Sequence, residues 1–242
     1  MDYKILGTTL PVLEVDLQPQ EWIFAESGEL SWMTASIGLQ SGTAVGGQQG
    51  GLFGAITRAI SGSTIYMTQY YAYQAPGQVG FATKVPGTIL PVDMPAGHPG
   101  YICHRHGFLA GTAGVQITVA MQQKLGGAVF GGMGLFMQRI QGQGLWWCEL
   151  QGEVIVKELA AGETIRVHPG HVGMFDAGVQ FSVTTVPGIR NVLFGGDGLF
   201  LVQLTGPGKI WLQSLPLPNL AHAISHYLPA AEGSGGASIR LG

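Results

Sequence analysis

The chain has 242 residues, 40 of them Gly, and only 10% are charged while 46% are hydrophobic. That hydrophobic share excludes a disordered chain. Forty glycines at a cost of roughly 1 kcal/mol per helical position argue against a helical bundle. The formal net charge is −3, and the eleven basic residues are scattered. Nucleic-acid binding, which needs several phosphates neutralised together, is therefore not expected. What remains is a glycine-punctuated all-β chain.

In chain order, the N-terminal Met1–Gly7 has no apolar leader-like run, so a signal peptide is not expected. Residues 21–28 (EWIFAESG) read as a strand and turn. Residues 30–57 carry no charge, but they are rich in Gly, Ser, Thr and Gln. They lack the apolar run of about 20 residues that a membrane span needs. Leu52, Phe53, Ile56, Ala59 and Ile60 follow helical spacing, which predicts a short amphipathic helix over 51–60. Residues 98–107 (HPGYICHRHG) again read as a strand and turn. Val154–Leu159, Thr164–His168 and Gln180–Val186 have β-type patterns. Pro218 and Asn219 open a predicted helix over 218–228, and 229–242 reads as a flexible tail.

The chain compares with itself. At an offset of 64, Phe130, Gly131, Gly132, Gly134, Leu135, Phe136, Gly142, Gly144 and Trp147 recur as Phe194, Gly195, Gly196, Gly198, Leu199, Phe200, Gly206, Gly208 and Trp211. A weaker copy starts at Leu52-Phe53-Gly54 and closes near Gly62. The strand-turn blocks at 21–28, 98–107 and 163–170 repeat with a similar period, placing Ala25 and Ser27 opposite His104 and His106. The expectation is one domain over 1–228, made of three pseudo-repeated β units (about 1–75, 76–151 and 152–216) in a pseudo-threefold arrangement, plus a short C-terminal helix.

Four groups of residues are candidates for function. His104 and His106 form an H-x-H pair which, on a strand, would put both imidazoles on one face, as in cupin-type metal sites. The acid expected about four residues later is absent, since Ala110 stands there. The alternative is two polar residues on a half-exposed strand. His168 and His171 could complete a site only through folding. The glycine-loop aromatics Phe53, Phe130, Phe136, Phe194 and Phe200 are candidates for interaction loops, against core filling between units. Trp146, Trp147 and Trp211 could bind a small ligand or carbohydrate, against a core role. No P-loop, nucleophile elbow or dinucleotide fingerprint is present. Glu26 and Glu29 are three apart but need not converge. No catalytic residue and no cofactor is assigned. Cys103 and Cys148 lie in apolar runs and read as two buried thiols of a reducing cytoplasm.

The stretches Tyr3–Gly7, Glu26–Gly28, Asn191–Phe200 and Leu204–Pro216 together resemble the altered-inheritance-of-mitochondria protein twenty-four family, called mitochondrial biogenesis proteins. The resemblance runs from about residue 3 to about 228. It implies a double-stranded β-helix-like fold grouped with the tryptophan RNA-binding attenuation protein. It implies no enzymatic activity and carries over no catalytic residue. The repeated glycine-aromatic loops, the sparse charge and the lack of a catalytic constellation lead to the expectation of a cytoplasmic, non-enzymatic homo-oligomeric scaffold, with a protein partner or a membrane surface as its contact. The alternative is a cupin-like metal-dependent enzyme or small-molecule binder using His104 and His106.

Overall fold

A computed structural model describes residues 1–43, 66–123, 135–185, 200–225 and 227. The helix expected over 51–60, the weak repeat copy from Leu52 to Gly62, and Phe53, Phe130 and Phe194 lie outside these residues. The described chain is all-β with one short C-terminal helix. Its strands are β1 (Asp2–Leu6), β2 (Val12–Leu17), β3 (Trp22–Glu26), β4 (Leu30–Met33), β5 (Ile37–Thr43), β6 (Tyr66–Ala72), β7 (Gly77–Ala82), β8 (Gly87–Met94), β9 (Tyr101–His104) and β10 (Phe108–Thr112). They continue as β11 (Val115–Gln123), β12 (Leu135–Gly142), β13 (Gly144–Gln151), β14 (Val154–Leu159), β15 (Thr164–Val167), β16 (Val172–Asp176), β17 (Gln180–Thr185), β18 (Phe200–Thr205) and β19 (Gly208–Gln213). Helix α1 (Leu217–Ser225) follows. Its second residue is Pro218, at a position where a missing N–H costs nothing. Among the described residues, no helix is long and apolar enough to cross a membrane.

The strands form four antiparallel sheets. The first has the order β1-β2-β7-β4, the second β5-β6-β3-β10-β13-β8, the third β11-β12-β9-β16-β19-β14, and the fourth β15-β18-β17. Adding six to every strand number of the second sheet gives the third. The three-strand run β2-β7-β4 matches β8-β13-β10 shifted by six, and β15-β18-β17 matches β9-β12-β11 in the same way. The pairing carries the same recurrence. A β-bulge falls between Leu30 and Trp32, between Phe108 and Ala110, and between Val172 and Met174.

Three apolar layers hold the sheets face to face. Leu13, Val15, Val79 and Phe81 of the first sheet meet Ile23, Tyr70, Leu109 and Trp147 of the second. Phe24, Phe108, Trp146 and Cys148 of the second meet Cys103, Ile117, Ile140 and Met174 of the third. Ile102, Phe175 and Ile210 of the third meet Val167, Val202 and Leu204 of the fourth. Successive side chains of a strand point to opposite faces, so adjacent Trp146 and Trp147 on β13 fill two different layers. Both are fully buried. They are core, and the ligand-binding reading of these two indoles is corrected by that burial. Trp211 packs against the rim of the middle layer.

Of the glycines repeated at an offset of 64, Gly142 and Gly144 sit in the β12–β13 connection and Gly206 and Gly208 in the β18–β19 connection, each of which carries the chain from one sheet to the next; the others lie outside the described residues. Gly142 has φ +102° and Gly208 φ +142°. A Cβ on Gly142 would also run into the Gly114 carbonyl, so the position demands glycine on two counts. In the first unit the strand matching β12 and β18 is β6. The corresponding turn therefore follows Ala72, well after the Gly62 that sequence comparison chose.

Candidate functional site

The recurring strand-turn block ends β3, β9 and β15 with one turn geometry. The backbone N–H of Glu29 donates to the Glu26 carbonyl (3.2 Å), that of Gly107 to His104 (2.8 Å), and that of His171 to His168 (2.9 Å). Strand register agrees. Ala25 lies opposite Ala110 and Cys103 opposite Met174, while Ala110 and Met174 themselves lie opposite Trp147 and Trp211. Hence Glu26, His104 and His168 occupy equivalent positions. The sequence alignment, with Ala25 at the place of His104, is out by one residue.

Each of these three groups is pushed toward its neutral form, with burial as the largest cause. Burial and the neighbouring Glu29 charge raise the Glu26 carboxyl, against the opposing charges of Lys84 and Arg105. Burial lowers His104 to about 4, against a hydrogen bond to the Glu149 carbonyl. Burial and His171 lower His168. At this one position of the repeat, burial disfavours the charged form of each side chain.

The first two turns converge with the β7–β8 connection and with β13 on one polar cluster. Lys84 Nζ lies 2.5 Å from Glu29 Oε1. Glu29 and Glu149 are each 7% exposed, whereas Lys84 faces solvent. Burial lowers the Lys84 ammonium, but the hydrogen bond and charge of Glu29, with Glu26 and Glu149, outweigh it and leave it raised. Burial and the Glu29 charge raise the Glu149 carboxyl to about 7, against a hydrogen bond from the Lys84 backbone N–H and the Lys84 charge. His106 is lowered by burial and by the charges of Arg105 and Lys84. Three carboxyls around one ammonium cannot all ionise without a large cost, and Glu149 near neutrality is the result.

The H-x-H pair is split by the fold. β9 ends at His104, and His106 lies in the following turn, so the two rings do not share a strand face. His104 Nδ1 faces the His106 backbone N–H at 3.4 Å, which makes it the acceptor. Its Nε2 then carries the proton and donates to the Glu149 carbonyl at 3.1 Å. Both ring nitrogens are committed to backbone. The imidazole acts as a strut tying the β9–β10 turn to β13, assisted by the Glu149 N–H on the Gly107 carbonyl (2.9 Å). At the carbonyl that matches Glu149, the contact comes from a different histidine of the turn: His171 Nδ1 meets the Gln213 carbonyl at 2.8 Å, and the Gln213 amide returns a bond to the Gly170 carbonyl at 2.9 Å. Gln213 and Glu149 are 64 residues apart. Among the described residues, no group of three His, Cys, Asp or Glu is placed to hold a metal ion.

Of the remaining candidates, Phe136 and Phe200 lie on β12 and β18 and are half-buried. The Arg105 guanidinium sits 5.6 Å above the Phe136 ring, a cation–π contact. Cys103 and Cys148 are free thiols buried in the middle layer. Burial raises both thiols well above the ordinary range, which keeps them unreactive. Sequence reasoning set Glu26 and Glu29 aside and gave Lys84 and Glu149 no role. The usable signal was the offset of 64, which joins Glu149 to Gln213 and His104 to His168.

A family model described as mitochondrial biogenesis AIM24 matches residues 3–215. An uncharacterised protein of Streptococcus pyogenes serotype M6 is 27% identical over 224 residues, spanning 91% of this chain and 88% of its own. A crystal structure of a Streptococcus pyogenes protein is similar with a TM-score of 0.72 and 25% identity, covering 94% of this chain and 99% of the other.

Proposed function

The chain belongs to the mitochondrial biogenesis AIM24 family, and from that premise we propose that it is a non-catalytic interaction scaffold assembled from copies of itself. The observation that carries the reading is where the exposed apolar side chains of its strands lie. Leu6 is on β1, Trp32 and Met33 on β4, Leu39 on β5, and Ile155 and Val156 on β14. Among the described residues, all four are outer strands of their sheets. Exposed edges with apolar side chains are templates for strand addition, and isolated monomers normally blunt them. With charge limited to 10% of residues, little on the surface opposes such contacts.

The recurring order of strands supports a chain of three like units joined through shared sheets, each unit a two-layer sandwich. The polar cluster at Glu29, Lys84 and Glu149 serves this architecture as a clamp between connections. Two inert buried thiols fit a reducing compartment such as the cytoplasm. Size-exclusion chromatography with light scattering over a range of concentrations tests the proposal. Masses at multiples of 25.5 kDa are expected. A monomer at every concentration overturns it.

A further inference from the structure

We infer that the free edge of β4 is the docking strand for β15 of a second copy of this chain. The inference rests on the self-assembly reading above and names the surface and register that reading leaves open. In the second sheet β10 pairs with β13 on one side and β3 on the other. In the third, β16 pairs with β19 and with β9. Among the described residues, β4 of the first sheet has β7 on one side and ends the sheet on the other, and β15 of the fourth has β18 and likewise ends the sheet. Since β4, β10 and β16 are equivalent, and so are β3, β9 and β15, the pair that the series lacks is β4 with β15. The chain carries both halves of a junction it makes twice internally.

Burial records the same gap. β10 and β16 are buried along all but their last residue. β4 has Trp32 43% and Met33 38% exposed. Leu30–Met33 contains no charge and no proline, the usual protections of an edge. Its bulge does not close it either, because β10 and β16 carry the same bulge and still pair on both sides. The face of β4 matches as well. Ala110 and Trp147, opposite one another in the second sheet, are covered by the first. At the corresponding pair in the first sheet the indole of Trp32 lies across Gly80, where a Cβ would collide with it. That indole is left in solvent.

The internal junctions set the register. Ala110 lies opposite Ala25 and Gly111 opposite Phe24. Met174 lies opposite Cys103 and Phe175 opposite Ile102. Transferred to the open edges, Trp32 comes opposite Val167 and Met33 opposite Arg166 of the next copy. The two edges differ, so the contact is head-to-tail. Every added copy presents a fresh β4 or β15 until a ring closes or a filament grows.

Paired cysteines test it. Met33 and Arg166 are both exposed, so Met33→Cys with Arg166→Cys should fold. Under mild oxidation it should give disulfide-linked dimers and larger species on non-reducing gels. Met33→Cys with Thr164→Cys, two residues out of register, and either single variant should link far less. The native cysteines are fully buried and add no background. In parallel, Trp32→Glu should reduce the light-scattering mass toward 25.5 kDa with an unchanged far-ultraviolet circular dichroism spectrum. If the wild-type protein is oligomeric but the in-register pair links no better than the shifted pair, the edge pairing is wrong while self-assembly stands. If the wild-type protein is monomeric throughout, both fall.

Discussion

Replacing Glu149 by Gln isolates the electrostatics of the polar cluster. In the folded chain this carboxyl is raised to about 7 from an ordinary 4.5. The folded state therefore holds a proton between pH 4.5 and 7 that the unfolded chain releases, and stability falls as pH rises through that window. A shift of about 2.5 units corresponds to about 3 kcal/mol at 1.36 kcal/mol per unit. Glu149 is 7% exposed, so solvent screening takes little from this figure. Gln keeps an acceptor for the Lys84 N–H but carries no charge. The stability of Glu149→Gln relative to wild type should therefore improve by about 3 kcal/mol between pH 4.5 and pH 8. Urea unfolding of both proteins at the two pH values measures the difference. A relative stability that is the same at both, or that moves the other way, refutes the placement of Glu149 in a buried cluster of like charge.

His104 should show the opposite slope. Its imidazole is lowered to about 4, so stability is present above pH 6.5 and is lost as pH falls toward 4. His104→Ala should flatten that acid limb and cost about 1–3 kcal/mol at pH 7 by stranding the Glu149 carbonyl, as read from urea midpoints. An acid limb unchanged in the variant would refute the strut. Trp146→Ala should cost about 3–5 kcal/mol, as expected for a fully buried aromatic. A loss under about 1 kcal/mol would contradict its core position. Cys103 and Cys148 should resist a thiol reagent in the native protein and react fully in denaturant. Rapid native labelling would mean that the middle layer is open.

Much of the fold was legible along the chain. Val154–Leu159 and Thr164–Val167 form strands where alternation and β-branching placed them, and α1 begins beside Pro218 as the helix-start signal indicated. The offset of 64 marked equivalent sheet-to-sheet turns because glycine there answers to backbone geometry, which sequence records directly. The polar cluster was not legible. Glu29 meets Lys84 across 55 residues, and His104 meets the Glu149 backbone across 45. Neither spacing belongs to a helix face or a strand face. The H-x-H pattern misled for a local reason. It assumed a strand through His106, whereas β9 stops at His104 and the turn carries the second ring away. The one-residue error at Ala25 arose because sequence comparison aligned the turn glycines, whereas strand pairing aligns the residues before the turn. The tryptophans looked available in sequence, but a sheet covered on both faces buries consecutive side chains.

The central claim concerns which edges of the sheets meet. Amide hydrogen exchange of the wild-type protein, followed residue by residue at low and at high protein concentration, addresses it without any substitution. Protection should rise with concentration at β4, residues 30–33, and at β15, residues 164–167, and should stay level along β5 and β14. Exchange that does not depend on concentration at β4 and β15, or new protection confined to other edges, would contradict the account.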